Sequence, residues 1–231
     1  MGQGKLISYE SIEGKCIDIS YDLEPMVSRV VHSLELCNYI QAKQVMEQIF
    51  LDLSYCRPEK FRKYMHNLIE MLSMRVRDFG SVLASDGQGY QYYVDYMNTY
   101  RELKTFMNSL LQETVEYIKS EKEKKSKKRI ELAKAYIEEH YREPITLNDI
   151  ADHVELNASY FSNLFKMETG MNFSEYLLNI RMEQAKKLLR DPTIKVYEIG
   201  NMVGYEDAVS FGRAFKKKFN MSPKDYRNSV Y

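Results

Sequence analysis

The chain has 231 residues, 33 basic against 33 acidic, with 44% apolar side chains, enough length and apolar content for two packed domains rather than a disordered polyelectrolyte. No apolar run approaches the ~20 residues that span a membrane and no signal peptide is visible, so a cytoplasmic location without a membrane partner is expected. Cys16, Cys37 and Cys56, like His32, His66, His140 and His153, lack ligand spacing, and no phosphate loop, nucleophile elbow or acid–base motif is present, so no metal, cofactor or enzymatic activity is expected.

In chain order, residues 1–118 read as a helical bundle. Pro25 stands near a helix start and is followed by Val27, Val30, Val31 and Leu34; a second stripe carries Ala42, Val45, Met46, Ile49, Phe50 and Leu53. Past Pro58 come Phe61, Tyr64, Met65, Leu68, Ile69, Leu72 and Val76, and from about Tyr100 a helix carries Leu103, Phe106, Met107, Leu110, Leu111, Val115 and Ile118. The sum is a four-helix-like bundle. Between them Tyr90, Tyr92, Tyr93, Tyr96 and Tyr100 are spaced for helical packing or an interface more than for a ligand pocket. So many large apolar residues exceed what a compact monomer hides, so a homodimer through this region is expected.

Residues 119–129 read KSEKEKKSKKR, seven basic and two acidic. This is a charged helical linker by its pattern, with phosphate contact as the alternative. Ile130, Ala133 and Ile137 resume an apolar stripe beyond it, so one helix is expected to run through.

Residues 130–231 contain nearly the same unit twice. Ile150 pairs with Ile199, Val154 with Val203, Phe161 with Phe211, Phe165 with Phe215, Lys166 with Lys216 and Tyr176 with Tyr226, at an offset of 49 and then 50. Each copy reads as a helix-turn-helix, over 146–169 and 195–219, making the chain all-α. In the first, Thr146 caps a short helix bearing Leu147, Ile150 and Ala151; Val154 to Asn157 is the turn; Asn157 caps a second helix with Phe161, Leu164 and Phe165 inward. In the second, Ile199, Met202 and Val203 close a short helix, Gly204 supplies the turn, and Phe211, Ala214 and Phe215 face inward. Between the copies, Phe173 to Leu189 forms an amphipathic helix with Tyr176, Leu177, Ile180, Ala185, Leu188 and Leu189 at core spacing, stopped by Asp191-Pro192.

The stretch "IKVYEIGNMVGYEDAVSFGRAFKKKFNMSPKDYR" at 194–227, with "YFSNLFKMETGMNFSEYLLNIRMEQAKKLL" at 160–189, resembles the DNA-binding domain of AraC/XylS-type bacterial transcription regulators, a likeness running from about Lys127 to Arg227. The resemblance implies two recognition helices in successive major grooves of double-stranded DNA, ~34 Å apart. Base-reading positions then fall on Ser159, Ser162 and Asn163, and on Ala208, Val209, Ser210, Gly212 and Arg213; Lys166, Lys216 and Lys217 are placed for phosphates. It further implies a transcriptional activator that presents a surface to RNA polymerase. Most base-reading positions are short or apolar, leaving Arg213 for guanine, Asn163 for adenine, and DNA shape for the rest.

Two positions depart from the family pattern. Glu155 replaces a glycine in the first turn, which then needs another geometry or carries strain at positive φ. Gly200 replaces an alanine, at up to ~1 kcal/mol of helix stability. Residues 1–120 carry a net −3 and residues 121–231 a net +3, a weak electrostatic footprint, so the DNA-binding reading rests on the repeat and not on charge. "GQGKLISYESI" at 2–12 resembles the closing strand of a sensor or linker module in AraC-type response regulators and membrane-anchored AraC-type regulators, which would make the chain the output half of a longer protein; no alternating strands suggest a sugar-binding barrel. The alternative function is a helical interaction or adaptor protein whose paired helix-turn-helix units bind DNA only nonspecifically.

Overall fold

A computed structural model describes residues 20–76, 79, 94–97 and 99–230. Cys16, Tyr90, Tyr92, Tyr93 and the 2–12 segment lie outside the described residues. Among these residues there is no strand, and the helices with defined bounds are α1 Glu24–Glu35, α2 Tyr39–Asp52, α3 Pro58–Arg75, α4 Tyr100–His140, α5 Leu147–His153, α6 Ala158–Thr169, α7 Phe173–Leu188, α8 Val196–Met202, α9 Ala208–Phe219 and α10 Pro223–Val230. None is long and apolar enough to cross a membrane. The chain divides into two units, Met1–Glu123 and Lys124–Tyr231, and α4 is continuous through the charged segment that holds the division.

In the first unit, Pro25 and Pro58 occupy the first turns of α1 and α3, where a missing N–H costs no hydrogen bond. One core unites Val27, Val30 and Leu34 of α1, Met46, Ile49 and Phe50 of α2, Phe61, Leu68 and Leu72 of α3, and Leu103, Met107 and Leu111 of α4. Tyr100 is half-buried and packs edge-on against Phe50 at 5.2 Å, a packing role rather than a pocket wall, whereas Tyr96 is exposed.

In the second unit, Ile130, Ala133 and Ile137 of α4 enter a core with Ile150, Phe161 and Phe165 of the first helix-turn-helix and Ile199, Phe211 and Phe215 of the second. The repeat extends to ring packing: Phe165 meets Tyr176 edge-on at 5.2 Å, and Phe215 meets Tyr226 at 5.8 Å. Met182 of α7 is wholly buried, a core position outside the apolar stripe read from sequence. Met202, the last residue of α8, is exposed, and Ala214, expected to be buried, is half-buried at the edge of the core.

Each helix-turn-helix bends at one left-handed residue, Glu155 at φ 54° and Gly204 at φ 90°. Around them the hydrogen bonds repeat. Leu156 N–H donates to the Ala151 carbonyl at 2.9 Å and Glu155 N–H to Asp152 at 3.1 Å; Tyr205 N–H donates to Gly200 at 3.0 Å and Gly204 N–H to Asn201 at 3.1 Å. This is the helix-ending pattern that satisfies otherwise orphaned carbonyls and needs positive φ at its pivot. Glu155 therefore keeps the geometry of glycine and accepts the strain, about 1–2 kcal/mol for a residue with a Cβ. The second-helix ends mirror this with the residue types exchanged: Gly170 at φ 78° closes α6 and Asn220 at φ 58° closes α9.

Glu155→Gly is expected to raise stability by about 0.5–1 kcal/mol, the strain relieved less the entropy of a freer unfolded chain. Gly204→Ala should lose about 2–3 kcal/mol, since a Cβ there would lie 2.8 Å from the Arg142 carbonyl oxygen at an unfavourable φ. Denaturant midpoints check both. Phe161→Ala or Phe215→Ala should cost about 3–5 kcal/mol and lower DNA binding only through unfolding, while Ser162→Ala leaves the melting temperature nearly unchanged; stable Phe215→Ala protein without DNA binding would show that the wrong face of α9 has been assigned to the core.

Candidate nucleic-acid interface

Both second helices begin at a capping side chain. The Asn157 carbonyl oxygen accepts from Ser159 N–H at 2.9 Å at the start of α6, and an Asp207 carboxylate oxygen accepts from Ser210 N–H at 2.7 Å at the start of α9. The Ser210 N–H, followed by its side chain, holds the Asp207 carboxyl below the usual carboxylate range, with a smaller contribution from Arg213. A carboxylate at that terminus complements the helix dipole. The first helices are also capped: Thr146 and Asp149 form a reciprocal capping box, whereas at α8 only half exists, Glu198 accepting from Lys195 N–H at 3.1 Å, because an ammonium has no acceptor.

Burial of Phe161, Leu164 and Phe165 turns Ser159, Ser162, Asn163 and Lys166 onto one stripe of α6, at relative positions 0, 3, 4 and 7. Burial of Phe211 and Phe215 does the same on α9 for Val209, Gly212, Arg213 and Lys216. Ser159, Asn163, Lys166, Val209, Arg213 and Lys216 are exposed, Ser162 and Gly212 half-buried; Ala208 and Ser210 are exposed beside the second stripe. Asn163 and Arg213 are equivalent positions of the repeat. Each helix thus offers one side chain of bidentate hydrogen-bonding capacity at the same height.

The lysines separate by role. Lys216, Lys217 and Lys218 all stand in the last turn of α9, where cations also suit the helix dipole. Lys218 donates to the Asn179 side-chain oxygen on α7 at 2.6 Å and is engaged within the protein, while Lys216 and Lys217 are exposed.

Three further residues bear on the site beyond those expected from the sequence. Arg181 of α7 donates to the Tyr141 carbonyl at 2.7 Å and the Glu143 carbonyl at 2.7 Å, with its guanidinium 5.7 Å over the Tyr205 ring, so it ties the end of α4 to the turn of the second unit. An arginine on an amphipathic helix gives no advance sign of this. Tyr160 is exposed beside the α6 stripe, an aromatic whose place off the apolar face is visible in the helix period. Asp207 carried a legible signal, an aspartate directly before an apolar-periodic helix.

A helix-turn-helix domain model matches residues 150–229. The chain is 31% identical over 129 residues to the Msm operon regulatory protein of Streptococcus mutans, covering 56% of this chain and 46% of that one. It is 36% identical over 106 residues to the raffinose operon transcriptional regulatory protein RafR of Pediococcus pentosaceus, covering 46% and 38%. The chain therefore spans less than half the length of these two relatives. Among solved structures it resembles the C-terminal domain of the two-component response regulator yesN from Fusobacterium nucleatum, at 42% identity over 42% of this chain and 95% of that one, with a TM-score of 0.41. With its paired helix-turn-helix units and these operon regulators as relatives, the C-terminal part of the chain belongs to the AraC/XylS-type helix-turn-helix family.

Proposed function

We propose that the chain is a sequence-specific regulator of transcription that reads double-stranded DNA with α6 and α9. The observation that carries this is the matched stripe: two capped helices of one repeat, each with a polar side chain, Asn163 or Arg213, where its apolar face cannot reach. Specificity comes from those two side chains and from DNA shape, because Ser159, Ser162, Ala208, Val209, Ser210 and Gly212 have little hydrogen-bonding reach. Lys166, Lys216 and Lys217 neutralise phosphates. Regulation is positive, through a surface offered to RNA polymerase, as the family resemblance implies, and takes place where the chromosome is, in the cytoplasm.

Selection of bound fragments from random duplex DNA, followed by a promoter–reporter assay on the selected sequence, tests the reading. One recurrent sequence and increased transcription support it; retention of DNA without sequence enrichment would favour the adaptor alternative.

On the selected sequence, Arg213→Ala should cost about 1–3 kcal/mol and relax preference at one base position, whereas Lys216→Ala weakens all DNA alike and lowers the salt slope by about one. Equal losses on selected and random DNA for Arg213→Ala would remove it from base reading.

The N-terminal unit further supports a homodimer. Leu36 and Ile40, at the junction of α1 and α2, are both mostly exposed and offer apolar surface for a partner to cover. Pairing would raise affinity for repeated sites through effective concentration. Sedimentation of the full chain should give a dimer at concentrations on the order of tens of micromolar, and Leu36→Gln with Ile40→Glu should give a monomer; a wild-type monomer there excludes pairing.

A further inference from the structure

The lysine-rich segment before the first helix-turn-helix presents an ordered cationic face. Lys125, Lys128, Arg129 and Leu132 stand at relative positions 0, 3, 4 and 7 of α4 and share a cleft of about 310 Å³ with His153, the last residue of α5, and Glu155 of the turn after it. Their direction follows from the core. Ile130, Ala133 and Ile137 are buried on the neighbouring face of α4, which fixes the helix's rotation and turns this stripe toward the turn. The cleft is open to solvent and roomy enough for several waters and a phosphodiester.

Three cations face one carboxylate, Glu155, in this cleft, and among the described residues no hydrogen bond or ion pair engages the side chains of Lys125, Lys128 or Arg129. Other cations of the same unit are occupied: Lys134 by Glu131, Lys218 by Asn179 and Lys186 by the rings of Phe219 and Tyr226. The cationic cleft ends four residues before Ser159, the first position of the α6 stripe. The cleft thus adjoins, through the α5–α6 turn, the start of the helix assigned to DNA.

We propose that Lys125, Lys128 and Arg129 form an additional phosphate-binding surface that clamps the DNA backbone flanking the sequence read by α6. The inference rests on the DNA-binding reading above and extends it to a segment outside the two helix-turn-helix units. Phosphate contacts of this kind carry no base preference; they set position and salt dependence. The clamp lengthens the footprint on the side of the first unit and strengthens binding to every sequence alike.

The test uses the full chain with all three residues changed to glutamine, titrated across salt concentrations on two duplexes of about 40 base pairs, two half-sites with roughly one helical turn of flank on each side. One duplex carries the selected sequence and the other a random sequence. Each lost phosphate contact removes about 0.9 from the slope of log K against log salt, so the variant's slope should fall by about two to three on both duplexes. Hydroxyl-radical protection should recede on one flank only. A change in slope below about one, with the melting temperature unaltered, overturns the clamp. The charge-preserving variant, Lys125→Arg, Lys128→Arg and Arg129→Lys, should keep the wild-type slope; its loss there would also overturn the proposal. Wild-type binding without preference for the selected duplex would sink the sequence-specific reading alone, because the clamp is read equally on random DNA.

Discussion

The left-handed residue at the centre of each helix-turn-helix is the constraint on which the C-terminal unit depends. A chain that ends one helix and starts another within a few residues must satisfy the last carbonyls of the first and redirect the backbone at once. The paired hydrogen bonds around Glu155 and Gly204 do both, and they require positive φ. The turn fixes the angle at which α6 and α9 leave, and that angle decides which stripe is buried against the core. At Gly204 the restriction is double, because the Arg142 carbonyl and the Arg181 guanidinium leave no room for a Cβ. Arg181 is held by two carbonyls at the end of α4, so the second turn is set against a fixed backbone rather than against solvent.

Duplication lets one set of rules be met by different residues. The left-handed positions are filled by Glu155 and Gly170 in the first copy and by Gly204 and Asn220 in the second. Each copy thus has one glycine and one strained residue, at exchanged places. Capping is shared in the same way, by the Asn157 amide at α6 and the Asp207 carboxylate at α9. The geometry is kept while the chemistry at the helix ends and along the exposed stripes varies. The two exposed stripes of one protomer can therefore differ in side-chain chemistry without a change of fold.

Charge is distributed by position more than by amount. A net +3 over residues 121–231 is small for a DNA-binding chain. The structure concentrates cations at the last turn of α9 and on the Lys125, Lys128 and Arg129 stripe, and engages others internally, as with Lys218. Local potential near a surface depends on such placement within a Debye length, so a nearly neutral chain can still present a cationic track to a phosphate backbone.

Residue order by itself determined the all-α class, the helices of the N-terminal unit and the two repeated units, because amphipathic spacing, proline at helix starts and short capping signals are local and act through a few neighbours. The stripes holding Asn163 and Arg213 were legible for the same reason: once Phe161, Phe165, Phe211 and Phe215 are assigned inward, the helix period places the rest. Tertiary structure alone decided that Glu155 adopts the conformation of glycine, that Met182 is buried and Met202 exposed, that Arg181 anchors the second turn, and that the lysine-rich segment turns one cationic stripe toward the first. These depend on which surfaces meet across tens of residues, and the free energy of such contacts belongs to pairs that no local pattern names.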